Sequence, residues 1–125
     1  MSLQDTANSP TPDNLFAGTQ VQPVVADEVI IATAAGAVTR GTVLGKITAT
    51  GLYVPVDSGA TNGSETAVAV LAEDTDATDD DKPAPGYFTG EYNENALTFG
   101  GTDTAEDHRD ALAARGIFLK SNVPA

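Results

Sequence analysis

The chain has 125 residues, with 18 Asp and Glu against six Lys and Arg, and no cysteine. A formal net charge of -12 repels phosphate backbones and argues against direct nucleic-acid binding. The missing cysteines exclude disulfides, thiol nucleophiles and zinc–thiolate sites. No apolar run approaches the ~18 residues that a membrane span needs.

One domain is the expectation at this length, and such a chain buries roughly two-thirds of its unfolded surface. Four Phe, three Tyr, one Met and no Trp leave the core to Val, Ile, Leu and Ala. Twelve Gly and seven Pro favour short strands and many turns over long helices. The acidity reads as a solvated surface that keeps the protein soluble. Met1-Ser-Leu-Gln-Asp-Thr has neither a basic nor an apolar leader region, so no export signal is expected.

Met1 to Asn14 is polar and carries Pro10 and Pro12, which disfavour helix and favour an extended chain. Residues 1–20 are therefore predicted to be a flexible arm, with a β-rich domain over 21–125. Leu15 and Phe16, followed by Val21-Gln-Pro-Val-Val, interrupt the polarity. They are either a core anchor or a partner-docking peptide, with the core the favoured reading.

Glu28-Val-Ile-Ile-Ala-Thr is the most β-branched run and predicts the first strand, and Ala34-Ala-Gly-Ala after it reads as a turn. The chain is organised around Val38 to Val56, where Val43, Leu44 and Ile47 alternate with Gly41, Gly45 and Gly51. A hairpin turning at Gly51 is expected, ending at Pro55, which cannot donate to a ladder. Asp57 to Thr66 is a loop by composition. Ala67-Val-Ala-Val-Leu-Ala predicts a central strand buried on both faces. An acidic loop follows from Glu73 to Asp81, with Lys82-Pro-Ala-Pro-Gly closing it. Two short strands are predicted at Tyr87–Tyr92 and Ala96–Phe99, with Asn93 to Asn95 turning between them.

One helix is predicted, Ala105 to Arg115. Thr104 is its N-cap and Asp107 completes a weak capping box. Glu106 and Asp107 in the first turn and Arg115 in the last suit the helix dipole. Gly116 occupies the left-handed C-terminal position. Ala111 and Leu112 should dock on the sheet, and Ile117-Phe-Leu resumes as a final strand. No internal repeat of solenoid length is present.

The chain offers little catalytic chemistry. His108 is the sole histidine and reads as a surface or partly packed residue rather than the base of a triad. No glycine run has a phosphate-cradling spacing. Asp74, Asp76, Asp79, Asp80 and Asp81 could offer hard oxygen ligands to Ca²⁺ or Mg²⁺. They lack the glycine and bidentate Glu of an EF-hand, so a solvated loop is favoured and a weak ion site stays open. No enzyme activity, cofactor or metal is expected.

The order of features resembles the lambda-type head decoration proteins of tailed phages. The residues carrying it are Gly41-Thr-Val-Leu-Gly leading to Tyr53-Val-Pro-Val-Asp, then Ala67-Val-Ala-Val-Leu-Ala-Glu-Asp-Thr-Asp-Ala, then Tyr87-Phe-Thr-Gly-Glu-Tyr. The short helix ending Arg115-Gly-Ile-Phe completes the series, which covers Val38 to Leu119; residues 1 to 37 do not obviously match the family's arm. The resemblance implies a mainly β fold, a small β-barrel or β-clip-like domain with one short C-terminal helix and a flexible N-terminal arm. It also implies a homotrimer, made in the host cytoplasm, that sits on the outer surface of the virion's expanded capsid and cements neighbouring major capsid proteins. Pro10, Pro12, Leu15, Phe16 and Val21 are then the candidate capsid contacts, and Tyr87 and Phe88 the candidate trimer interface. The rival reading is a carbohydrate-binding or adhesion module, for which Tyr53, Tyr87 and Tyr92 are the tyrosines that could serve as stacking platforms.

Overall fold

The computed structural model describes residues 15–17 and 25–121. Its strands run in the order β1 (Val25–Ile31), β2 (Ala37–Val38), β3 (Val43–Lys46), β4 (Tyr53–Pro55), β5 (Ala67–Leu71), β6 (Thr75–Asp76), β7 (Lys82–Tyr87), β8 (Gly90–Asn93) and β9 (Ile117–Lys120). A single α-helix among the described residues, α1 (Ala105–Ala113), precedes β9, and short 3-10 turns span Thr33–Ala35 and Glu94–Ala96.

Five strands close into a barrel in the order β1-β4-β3-β5-β7, with β7 pairing back onto β1. Closure leaves none of these strands as an open sheet edge. The fold is thus mainly β, with the short helix near the C-terminus. The hairpin expected around Gly51 is β3–β4, with Leu44 opposite Pro55 and Lys46 opposite Tyr53. Gly51 turns it at φ 75°, a conformation that side-chain-bearing residues adopt at a cost.

Side-chain alternation explains why β5 reads as a continuous apolar run. Val29, Ile31, Leu44, Ala69, Leu71 and Ala84, with Tyr53 beside them, come from all five barrel strands and pack as one cluster, which fills the barrel. Val43 and Val70 face the other way, into a second cluster with Tyr92, Leu112, Ile117 and Leu119. β5 therefore has the barrel interior on one face and the layer of α1, β8 and β9 on the other. A register shift between Leu44 and Gly45, opposite Ala69 and Ala67, inserts Val68 as a bulge. The bulge lets Ala67 join the outer cluster while Ala69 joins the inner one.

The helix starts where the sequence expects but stops at Ala113, two residues early, so Arg115 falls in the turn beyond it rather than in its last turn. The Thr104 N–H donates to the Asp107 carboxylate at 2.8 Å, and Gly116 takes φ 89° past the last turn. Leu112 is fully buried. β9 then lies parallel to β8, with Ile117 and Leu119 inward and Phe118 and Lys120 outward.

Two local expectations are corrected. Lys82–Gly86 is strand rather than loop, despite Pro83 and Pro85. The Pro85 carbonyl accepts from the Ala72 N–H at 3.0 Å, so Pro85 and Pro83, two residues apart, direct their backbone polar positions away from β1. Ala84, between them, faces Val29 on β1. β5 overlaps β7 only at Gly86 and Tyr87, so the N–H groups that proline lacks fall where no ladder needs them. Ala96–Phe99 is the second correction. Its only pairing is an isolated bridge between Thr98 and Thr42, because the 3-10 turn consumes Ala96 before an extended run can form.

Candidate functional site

The leading segment enters the fold at β8, which has two usable edges. β9 takes one. Residues 15–17 take the other in antiparallel sense, with Phe16 opposite Tyr92. The Ala17 N–H donates to the Glu91 carbonyl at 2.9 Å, and the Asn93 N–H donates to the Leu15 carbonyl at 2.7 Å. Leu15 is 2% exposed and belongs to the outer core cluster.

Phe16 sits in an aromatic group. Its ring meets Tyr87 edge-on, with centroids 5.2 Å apart and planes at 76°, and lies 5.3 Å from Tyr92. Such pairs contribute about 0.5–1.5 kcal/mol beyond their buried area. The Arg40 guanidinium lies 5.8 Å from the Phe16 centroid and 5.6 Å from that of Tyr87. It is held there by its own hydrogen bonds: Nη1 donates to the Ala72 carbonyl at 2.8 Å and to the Tyr87 hydroxyl at 3.0 Å. The Tyr92 hydroxyl donates to the Thr89 carbonyl at 2.7 Å. Burial pushes its phenol well above the usual tyrosine range, the nearby Tyr87 adds to this, and Arg40 opposes it.

Leu15, Phe16 and Tyr87 are therefore brought together. Phe88, next along the chain, packs against the barrel-interior cluster instead, as strand alternation requires. Pro10, Pro12 and Val21 lie outside the described residues. As platforms for sugar stacking the tyrosines are poorly placed. Tyr92 is fully buried, Tyr87 is engaged by Phe16 and Arg40, and Tyr53 is half-buried with Lys46 Nζ 5.8 Å from its ring. The large hydrophobic residue left exposed among the described residues is Phe118, at 40%.

A second cluster joins the loop after β4 to the start of α1. His108 Nε2 lies 2.6 Å from Asp103 Oδ2, the Ser58 hydroxyl donates to Asp103 Oδ1 at 2.7 Å, and the Ser58 N–H donates to Oδ2 at 2.6 Å. The His108 ring stacks on Phe99, and the residue is 3% exposed. It is more deeply buried than the sequence suggests. Hydrogen bonds from His108 and then Ser58 hold the Asp103 carboxyl below the ordinary carboxylate range. The order of groups decides the chemistry. An activated serine of the triad kind needs imidazole against its hydroxyl; here the Asp103 carboxylate stands between Ser58 and His108, so the cluster is a clamp.

Three of the acidic loop's carboxylates serve backbone groups, while Asp79 and Asp80 are exposed. Asp74 Oδ1 accepts the Arg40 N–H at 2.7 Å, and Asp81 Oδ1 accepts the Thr33 N–H at 2.9 Å. Asp76 accepts the Thr78 N–H at 3.0 Å; the Thr78 hydroxyl and N–H lower its pKa. Thr75–Asp76 is itself strand β6, paired with β2. Among the described residues no three His, Cys, Asp or Glu side chains converge as a metal site, and no helix is long and apolar enough to cross a membrane.

Sequence reasoning missed Arg40 and Asp103. Arg40 sits between Thr39 and Gly41 in a turn and looks like any solvated cation, and Asp103 looks like a helix-flanking acid. The partners of Arg40 lie 32 and 47 positions away, beyond any local signal; Asp103 has Ser58 45 positions away and His108 only five away, and that short spacing was the one signal available.

A closed barrel, a packed flank and a leading segment docked on β8 define a small β-barrel protein. The chain belongs to the family described as bacteriophage lambda head decoration protein D, whose model matches residues 6–117. The match takes in most of the leading segment as well as the region after Val38 that carries the resemblance. Membership makes this a structural phage head decoration protein and places it at the capsid. Comparison with curated proteins gives no match.

Proposed function

We propose that this protein binds the outside of an expanded phage head as a homotrimer and stabilises the shell by clipping neighbouring capsid subunits together. The family match over residues 6–117 carries this reading. The leading residues form the clip. Pro10 and Pro12 disfavour helix by their chemistry, which suits a segment that adds main-chain hydrogen bonds along an exposed capsid strand, and Val21 is a further proposed contact. Leu15 is buried in its own chain's core and Phe16 packs beside it, so this pair anchors the clip at its root. Tyr87 and Phe88 are the proposed subunit contacts, joined by the exposed Phe118.

Ordering an arm costs roughly 1–2 kcal/mol of backbone entropy per residue. A trimer offsets this, because once one arm is bound the other two act at high effective concentration, raising avidity by ~10²–10⁴. A ligand that binds the assembled lattice and not its free subunits then stabilises the lattice by mass action.

Co-sedimentation with empty expanded heads tests the reading. The full chain should pellet with the heads and raise their resistance to heat, and a chain beginning at Leu15 should do neither. Equal coating and protection by the shortened chain would overturn it. Light scattering read against the 12.7 kDa chain gives the subunit number.

A further inference from the structure

We propose that Arg40 is a positioning residue for the leading arm. With Phe16, Tyr87 and Tyr92 it latches residues 15–17 to the body, so that the fourteen residues before Leu15 depart from one fixed point. The inference rests on the reading that those residues contact the shell.

Among the described residues, the pairing of residues 15–17 with β8 is a bridge flanked by two hydrogen bonds. Burial of Leu15 in the outer cluster adds to its hold, and the neighbouring Phe16 is fixed by Arg40. Its backbone N–H is tied to Asp74 on one side of the barrel. Its Nη1 bridges the Ala72 carbonyl and the Tyr87 hydroxyl. The backbone of Arg40 and its Nη1 are thus both held, and Phe16 lies within cation–π range of the guanidinium while touching both tyrosine rings. Leu15 is drawn into the core next to it, with a methyl 3.4 Å from where a Cβ at Gly41 would stand. The latch joins the Thr39–Gly41 turn, the end of β7 and β8, three separate parts of the body.

The consequence is a tether rooted at Leu15. Effective concentration falls roughly as the three-halves power of tether length, so losing that root weakens each of the two arms that follow the first.

The test uses the full chain with Arg40→Ala, Phe16→Ala, both together, and Arg40→Lys. Unlatching is read by amide hydrogen exchange at Ala17 and Asn93, and function by competition for empty expanded heads. The double variant should exchange these amides at least about tenfold faster, keep its barrel melting transition, and bind heads at least about twofold more weakly, with Arg40→Lys intermediate. A second variant leaves the latch untouched: ten Gly/Ser residues inserted between Asn14 and Leu15 lengthen the tether directly and must also weaken head binding. Unchanged exchange in the double variant overturns the latch. So does unchanged head affinity in the insertion variant while the chain beginning at Leu15 fails to bind. Head binding by that shortened chain as tight as by the full one would overturn the arm reading itself, and the latch with it.

Discussion

Truncating Leu15 to alanine measures how firmly the leading segment belongs to the folded body. Leu15 is 2% exposed and packs with Val43, Val56, Tyr92 and Leu112 in the outer cluster. The change removes three carbons, worth about 0.8 kcal/mol each in transfer free energy, or roughly 2.4 kcal/mol. A cavity term adds to this where neighbours cannot collapse, and Leu→Ala changes in cores span about 2–5 kcal/mol. Tyr92, Val43 and Val56 are held by strands or the barrel wall, so about 3 kcal/mol is expected. Detachment sets a ceiling: once the cost exceeds that of detaching residues 15–17, they detach. In a domain of about 100 residues 3 kcal/mol corresponds to a fall of about 12 °C or more in Tm. Urea unfolding at fixed protein concentration gives the free energy. Hydrogen exchange at Ala17 distinguishes the two outcomes, since detachment speeds it and a simple cavity does not. A variant within about 0.5 kcal/mol of the parent, with Ala17 still protected, would show that Leu15 contributes no core packing and would refute the argument.

Other substitutions probe the remaining parts. Asp103 has a depressed carboxyl pKa, so its contribution is present above the unfolded carboxylate range near ~4 and is lost as pH falls through its lower folded value. Asp103→Asn should therefore lower stability at pH 7 and flatten the acid limb below about pH 4, measured as urea midpoint against pH; an unchanged limb would contradict the assignment. Gly45→Ala drives a Cβ into the Ser64 backbone, meeting its carbonyl oxygen, carbonyl carbon and Cα, and should cost about 1–3 kcal/mol or more. Gly59→Ala, whose nearest neighbour is a side-chain oxygen at 3.3 Å, should stay within about 0.5 kcal/mol by the same denaturation. Arg109 bridges Glu94, Glu106 and the Leu119 carbonyl. Glu94→Gln should destabilise more than Glu106→Gln in thermal melts, because Glu94 is 20% exposed and Glu106 77%. Phe118→Ser should shift the light-scattering mass towards 12.7 kDa while leaving the monomer's unfolding free energy within about 0.5 kcal/mol.

Much of the candidate site was illegible for a physical reason. Leu15 and Phe16 stand out against a polar arm, so the pair could be singled out from the sequence, with core and partner both open. What holds Phe16 could not be read. Arg40 reaches Tyr87 because the barrel closes β7 onto β1 and β5, which carries residues 47 positions apart into contact. His108 and Asp103 are near in sequence, but whether an imidazole on a helix faces water or core depends on what the helix covers, and here that is Phe99 and the loop bearing Ser58.

Local chemistry alone determined the elements whose cause is local. Thr104, Asp107 and Gly116 bound the helix, Gly51 turns the hairpin, and the unbroken apolar run at Ala67 demands cover on both faces. In each case the free energy that selects the conformation lies within a few residues. Only the tertiary structure decided that Pro83 and Pro85 could sit inside a strand, that β8 and β9 run parallel, and that residues 15–17 complete their sheet. Those outcomes depend on which backbone groups face a neighbour, and a neighbour is assigned by barrel closure, which no short stretch of chain encodes.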